Sequence, residues 1–274
     1  DAPSAPNLTA LYLSSAAVSW GAVGAQDGYV LEASTASDFT GVRPASATPN
    51  GAATGLVVTG LDPNTTYFFR AGALWNGTTS YAPTAPASSA TLADPVSGPS
   101  FAEVFSTSVT VNWVGLPLAP SSRTAEGYLL QASTAADFTG AVFATATPNA
   151  GLSTLTVTGL FEGATYFFRV GSLNWNSVPH FLAAGSTRTR LGDAPAAPSL
   201  TALYLSSAAA SWGAVASQGG YVLEASTASG FTGTVLASAT PNGAATGLVV
   251  TGLDPNTTYF FRAGAVWNGT TSYA

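Results

Sequence analysis

The feature that most constrains this chain is an internal repeat: the stretch around Trp20 returns around Trp113 and Trp212, with the same landmarks behind it in the same order. Each Trp is followed by a Tyr (Tyr29, Tyr128, Tyr221) and by an Ala-Ser-Thr-Ala or Ala-Ser-Thr-Ala-like segment ending in Phe (Phe39, Phe138, Phe231). Thr-Gly-Leu and then Thr-Tyr-Phe-Phe-Arg close the set, or in the middle unit Ala-Thr-Tyr-Phe-Phe-Arg. The first and third units are nearly one sequence, differing at about 11 of 82 aligned positions, among them Asp27 to Gly219, Asp38 to Gly230 and Arg43 to Val235. The middle unit is more diverged and carries extra residues around Pro117 to Arg123. The pattern is A-B-A, and it divides the chain into expected domains at 1–93, 94–192 and 193–274. The divisions fall at Asp94-Pro95-Val96-Ser97-Gly98-Pro99 and Gly192-Asp193-Ala194-Pro195, where proline restricts the backbone and stiff joints are expected.

Within each unit, short apolar runs alternate with Gly, Asn, Asp and Pro turns at close spacing, which argues for strands rather than helices. The first unit reads as strands near Leu8–Leu13, Ala16–Trp20, Gly28–Ser34, Val42–Ala47 (weak), Leu56–Thr59, Thr66–Trp75 and Ser88–Leu92. That is a seven-stranded sandwich. The third unit runs to Ala274, the counterpart of Ala82, so the expectation for it is a sandwich without its final strand.

At the level of motifs the chain resembles the fibronectin type III family along its whole length. The residues that carry the likeness are Trp20 on the second strand, Gly28-Tyr29-Val30-Leu31-Glu32 on the third, and Thr59-Gly60-Leu61-Asp62-Pro63-Asn64-Thr65-Thr66-Tyr67-Phe68-Phe69-Arg70. Counterparts stand at Trp113, Tyr128, Leu160, Tyr166 and Arg169, and at Trp212, Tyr221, Leu253, Tyr259 and Arg262. The middle unit departs from the pattern with Phe161-Glu162-Gly163 in place of Asp-Pro-Asn. The resemblance implies all-β, immunoglobulin-like sandwiches in tandem, with a tyrosine corner in which a phenol hydroxyl ties the inter-sheet connection to nearby backbone. It also implies, loosely, the spacer, adhesive and contact roles of such arrays, the bacterial extracellular kind included.

Composition narrows the function. Only 7% of residues are charged, against about 25% in a typical soluble domain. Lysine is absent, and seven arginines against thirteen acids give a net charge of -6, with no basic stripe to collect phosphates, so nucleic acid is not an expected partner. The chain has no cysteine, which removes disulfide frameworks, thiolate chemistry and Cys-based metal sites together. No run approaches the roughly 20 apolar residues of a membrane helix. The opening Asp1-Ala2-Pro3 lacks the charged-then-apolar pattern of a signal peptide, as expected of a mature secreted chain from which any signal has been removed.

No catalytic, cofactor or metal site is expected. The single histidine, His180, has Ser80 and Ser272 as counterparts and reads as a solvated or packing residue, and one histidine cannot build a multi-His zinc site. The acids do not gather as a glycosidase pair or a calcium loop would require; Asp27, Asp38 and Asp62 sit in or beside turns, and Asp94 and Asp193 stand alone in the linkers.

What remains is surface. If Tyr67 and Phe69 point inward, alternation turns Phe68, Arg70, Leu74, Val30 and Glu32 outward, and the same step applies to Leu129, Phe167, Val222 and Phe260. These apolar residues are interface candidates, to be weighed against the ordinary scatter of single exposed apolar side chains. Trp75, Trp175 and Trp267 stand at the end of the sixth strand; they could stack on sugars, or plug one end of the sandwich, which is the preferred reading. Asn-x-Ser/Thr sequons occur at Asn7, Asn64, Asn76, Asn256 and Asn268, and Asn64 and Asn256, expected in an exposed turn, are the preferred glycosylation candidates.

The leading expectation is therefore a non-catalytic structural or adhesive segment of an extracellular fibre or adhesin. Its partners would be neighbouring repeats or further copies, covalent glycans would cover its surface, and strand complementation would join units. The alternatives are a spacer or accessory-binding array of a secreted polysaccharide-degrading enzyme, and a receptor ectodomain.

Overall fold

The computed structural model describes residues 1–82 and 87–274 and is all-β apart from one short 3-10 turn, Ser121–Arg123. The first repeat contains β1 (Asn7–Leu11), β2 (Ser15–Ser19), β3 (Tyr29–Ser34), β4 (Ala45–Thr48), β5 (Gly55–Thr59), β6 (Thr66–Trp75), β7 (Thr78–Tyr81) and β8 (Ala87–Ala90). They form two antiparallel sheets, β1-β2-β5 and β4-β3-β6, with both β7 and β8 paired to β6. The second repeat holds β9 (Ser97–Val104), β10 (Ser108–Val114), β11 (Gly127–Ser133), β12 (Val142–Thr147), β13 (Thr154–Thr158), β14 (Thr165–Leu173) and β15 (Pro179–Arg188). The third holds β16 (Ser199–Leu203), β17 (Ser207–Ser211), β18 (Tyr221–Ser226), β19 (Val235–Thr240), β20 (Gly247–Thr251), β21 (Phe260–Trp267) and β22 (Thr270–Tyr273). Both repeat the order of the first: β13-β10-β9 faces β12-β11-β14-β15, and β16-β17-β20 faces β19-β18-β21-β22.

The expected final strand of the first repeat, Ser88–Leu92, is present as β8, and ahead of it stands a strand the sequence reading did not anticipate, β7; in the second repeat the residues paired with β14 form one strand, β15. In the third repeat the counterpart of β7 is β22, paired with β21 in the same register. The cause is the Asn-Gly pair. Asn76 (φ 46°) with Gly77 (φ 79°), and Asn268 (φ 45°) with Gly269 (φ 77°), make two-residue turns with both φ positive, the geometry that matches strand twist and folds β7 and β22 back at once.

Each repeat has its own core between its sheets. In the first, Trp20, Tyr29, Leu31, Val58, Leu61, Tyr67 and Phe69 are buried together, with the Trp20 and Tyr29 rings 5.5 Å apart. Equivalent sets around Trp113 and Trp212 fill the second and third. Alternation along the strands decides which side chains enter: over Tyr29–Ala33 of β3 and Tyr67–Ala71 of β6 every other residue is buried, as on a period-two strand with a one-sided core. Among the largest fully buried side chains are Tyr29, Phe69 and Leu31, and burying a large apolar side chain contributes about 1.5–3 kcal/mol. Two neighbours cross the expected divisions, since Ala93 belongs to the second core and Leu191 packs against the third.

The corner expected from the resemblance is present in all three repeats. The Tyr67, Tyr166 and Tyr259 hydroxyls accept from the Asp62, Phe161 and Asp254 N–H groups at 3.0, 2.9 and 3.0 Å. Glycine is needed at the entry to the third strand. Gly28, Gly127 and Gly220 have positive φ, and a Cβ on any of them would fall 1.8–2.1 Å from the carbonyl oxygen of residue 48, 147 or 240.

Candidate functional site: the inter-repeat junctions

The polar side chains that the fold collects are at the ends of the sandwiches, where one repeat meets the next. At the first junction the turn residue Asn64, held at φ 45°, is only 1% exposed. Its Nδ2 donates to the Ser121 carbonyl (3.3 Å), Thr124 Oγ1 (3.3 Å) and Glu126 Oε1 (3.1 Å), all in the second repeat. A carbonyl and a carboxylate can only accept, so the amide nitrogen must face them. The position was expected to be an exposed turn; instead the second repeat covers it and its amide nitrogen is taken up there, which corrects the expected exposure of Asn64.

The second repeat reaches back with three side chains. Asn174 is fully buried; its Nδ2 donates to the Ala90 (3.0 Å) and Thr91 (3.1 Å) carbonyls while its Oδ1 accepts from the Asn176 and Val178 N–H groups. Asn176 Oδ1 accepts from the Ala90 N–H at 2.6 Å and from Ser89 Oγ at 3.2 Å. His180 Nδ1 stands 2.8 Å from the Ala93 carbonyl, an acceptor, so Nδ1 carries the proton and donates. Asp94 in the linker receives Arg123 Nε on its carboxylate at 2.8 Å and Ser172 Oγ on its carbonyl at 2.6 Å.

The second junction uses the opposite polarity. Gly163 occupies the place of Asn64, and its bare carbonyl accepts from Asn268 Nδ2 (3.1 Å) and Arg188 Nε (2.7 Å). Arg188 Nη2 also donates to Thr270 Oγ1 at 2.8 Å, and Gln218 Nε2 donates to Glu162. The Trp267 indole, 3% exposed, lies on Gly192, where a Cβ would meet the ring at 2.5 Å, and its Nε1 donates to the Asp193 carbonyl at 3.3 Å. At one junction an A-type turn donates into B-type acceptors; at the other a B-type turn accepts from A-type donors.

The repeat counterparts of the junction asparagines differ in exposure. Asn256, the counterpart of Asn64, and Asn76, the counterpart of Asn268, are exposed, as is Asn7. The tryptophans separate in the same way. Trp75 is half-buried and donates to the Asp1 carbonyl at 3.0 Å, as Trp267 does one repeat later. Trp175 is 57% exposed and lies beyond the end of β14, not on it. Register places Asn174, not Trp175, at the position of Trp75, because the middle repeat replaces the Asn-Gly turn with a longer one.

On the outer sheet face the candidates Val30, Phe68, Leu74, Leu129, Phe167 and Val222 are half-buried, and Phe260 is 44% exposed. Between them Arg70 is stacked between Phe39 and Tyr81, 4.1 and 3.9 Å from the ring centres, and bonded to Glu32 at 2.6 Å. Arg262 repeats this with Phe231, Tyr273 and Glu224, while Arg169 lies between Phe138 and Phe181 and bonds Gln131. In the first and third repeats the face is thus occupied by an internally neutralised stack. Tyr81 and Tyr273 donate to the paired carboxylates, and burial, with that bond next, pushes both phenol pKa values up. In the second repeat the carboxylate and the phenol hydroxyl are lost together.

Among the described residues there is no group of three or more His, Cys, Asp or Glu that could hold a metal, and no helix long and apolar enough to cross a membrane. No family model matches the sequence, and no curated protein does. Among solved structures, the FN1–FN3 domains of chicken CNTN1 align over 99% of this chain and 94% of their own, at 16% identity and TM-score 0.32. A two-domain fibronectin type III segment of chicken tenascin aligns over 69% of this chain and all of its own, at 18% identity and TM-score 0.38.

Proposed function

We propose that this chain is a non-catalytic structural segment of an extracellular surface fibre or adhesin, of the kind bacteria build from tandem fibronectin type III-like units. The observation that carries the reading is the pair of junctions. Each is closed by direct side-chain bonds between repeats, from Asn64, Asn174 and His180 at one and from Arg188 and Asn268 at the other, where the Trp267 ring also packs on Gly192. Repeats joined only by a flexible linker would have no reason to bury an asparagine and a tryptophan at their ends. Stiff units in fixed order transmit force and hold contact surfaces at regular spacing.

Glycosylation belongs to the same proposal, with Asn7 as its site, since this sequon lies in neither junction. A glycan on Asn76 or Asn256 would occupy the ground that a neighbouring repeat covers at Asn268 and Asn64, so glycosylation and docking compete there. The test is electron microscopy of the protein taken from its native source. Regular filaments with continuous density through the repeat ends are expected; monodisperse three-domain rods would overturn the fibre reading in favour of a spacer array.

A further inference from the structure

The second junction holds a crevice between repeats. A cavity of about 370 Å³ opens there, walled on one side by Thr134, Phe161, Thr165 and Tyr166 of the second repeat and on the other by Gln218 and Asn268 of the third. That volume falls within the about 300–1,000 Å³ of small-molecule sites.

Phe161 gives the crevice its character. The other two repeats have Asp62 and Asp254 at this position, so the ring is particular to the middle repeat. It is 51% exposed, yet it is held in place: the Phe143 ring stands against it at 6.1 Å and 89°, and Phe143 in turn meets Tyr166 at 5.7 Å and 87°. The Phe161 N–H is fixed as well, by its bond to the Tyr166 hydroxyl. A held aromatic ring with half of its surface open is a stacking platform. At the first junction the turn is covered instead by the insertion 117–123, whose Ser121 carbonyl lies on Asn64. The third repeat has the shorter loop between β17 and β18, and that loop supplies Gln218.

The polar groups around the ring are set mainly to accept. Gln218 Nε2 donates to Glu162, which leaves the Gln218 amide oxygen as an acceptor. Asn268 Nδ2 donates to the Gly163 carbonyl, which leaves Asn268 Oδ1 in the same role. Thr134 Oγ1 accepts from the Ala141 N–H at 3.2 Å and keeps a hydroxyl hydrogen to donate. The lining contains no charged side chain, so nothing in it selects an ion.

We propose that the crevice binds a neutral sugar, one hexose residue of a glycan, with an apolar ring face on Phe161 and hydroxyl groups bonded to Gln218, Asn268 and Thr134. A pyranose joins an apolar face to a rim of hydroxyls that both donate and accept, which complements an aromatic ring bordered by amide oxygens and a hydroxyl. Phe161 and Thr134 come from one repeat and Gln218 and Asn268 from the next, so the site is complete only while the junction is closed. The proposal rests on the adhesive side of the reading above, to which it gives a ligand class.

The test is saturation-transfer NMR on chain 1–274 with the methyl glycosides of glucose, galactose, mannose and N-acetylglucosamine, titrated to about 10 mM, with glycerol as the control polyol. The expected result is saturable transfer to the ring protons of at least one glycoside and none to glycerol. Phe161→Asp installs the residue that the first and third repeats already fold with, and it should weaken binding about tenfold. Gln218→Ala installs the residue of the middle repeat, Ala125, and should weaken binding about fivefold. Trp175→Ala removes an exposed indole outside the crevice and should leave binding unchanged. No saturable binding, an equal response to glycerol, or unchanged affinity in Phe161→Asp would each overturn the site, and loss of binding in Trp175→Ala would move the sugar to that indole and overturn it equally. Binding by a chain that forms no filaments would keep the site and remove the fibre; filaments from a chain that binds none of the glycosides would do the reverse.

Discussion

Asn64 and Asn256 share one local sequence and one backbone conformation but differ in what lies above them, so replacing each by alanine isolates the energy of the first junction. Both changes put alanine at a positive φ, with a common strain of about 1 kcal/mol. Only Asn64→Ala also removes a donor with three acceptors in the second repeat, one of them the Glu126 carboxylate. Bonds to charged acceptors contribute about 1.5–3 kcal/mol. Against that, Asn64 Oδ1 is buried without a partner, and its removal recovers part of the loss. The net difference between the two variants should be about 2 kcal/mol. Because three repeats do not unfold as one two-state unit, the assay must be local. Hydrogen exchange read by mass spectrometry serves, and 2 kcal/mol corresponds to about 30-fold faster opening. Asn64→Ala should accelerate exchange at Ala90, Thr91 and Thr124, while Asn256→Ala leaves all three unchanged. Equal effects of the two variants, or no change at the junction in Asn64→Ala, would refute the claim that this asparagine joins the repeats.

Other consequences are as direct. Gly192→Ala should place a methyl group within the Trp267 ring, costing about 1–3 kcal/mol and shifting tryptophan emission to the red as the indole is displaced; unchanged emission and stability would contradict the packing at 2.5 Å. Glu32→Gln alone should destabilise the Arg70 stack by about 1 kcal/mol, and adding Tyr81→Phe should cost less than the two separate changes sum to, since the second repeat uses Gln131 with Phe181; additivity in a double-mutant cycle would deny the coupling. The Asp38 and Asp137 carboxyls are held below the ordinary aspartate range, first because the Thr40 and Thr139 hydroxyls donate to them and then because the backbone N–H groups of the same residues do. A folded pKa below the unfolded one gives stability that is present above pH 3.8 and lost as pH falls through the folded value. Acid titration by NMR should therefore shift the Thr40 and Thr139 amides in that window and leave the Thr232 amide still, because Gly230 replaces the aspartate.

Much of the fold was legible because it rests on local chemistry repeated three times. The Trp–Tyr pair, the tyrosine corner and the alternation of β3 and β6 each depend on residue type and period, and they appear where the pattern puts them. The hairpin strands β7 and β22 were legible too, in Asn76-Gly77 and Asn268-Gly269, but each pair with the threonine behind it also spells a sequon, and reading them as glycan acceptors hid the turn. The junctions were not legible. Whether Asn64 is exposed depends on a domain about 60 residues later in sequence, and no window along one repeat contains that information. One signal did exist in the alignment, since Gly163 replaces Asn64 and Asn174 replaces Trp75 in the repeat that must pair with different neighbours.

The central claim is that adjacent repeats are fixed by direct bonds rather than tethered by linkers. The chain has no cysteine, so spin labels can be attached cleanly at chosen exposed positions, such as Ser37 in the first repeat and Asn149 in the second. Pulsed electron paramagnetic resonance then reports the distance between them. The account predicts one narrow distance distribution that broadens in Asn64→Ala; a broad distribution in the unaltered chain would contradict it.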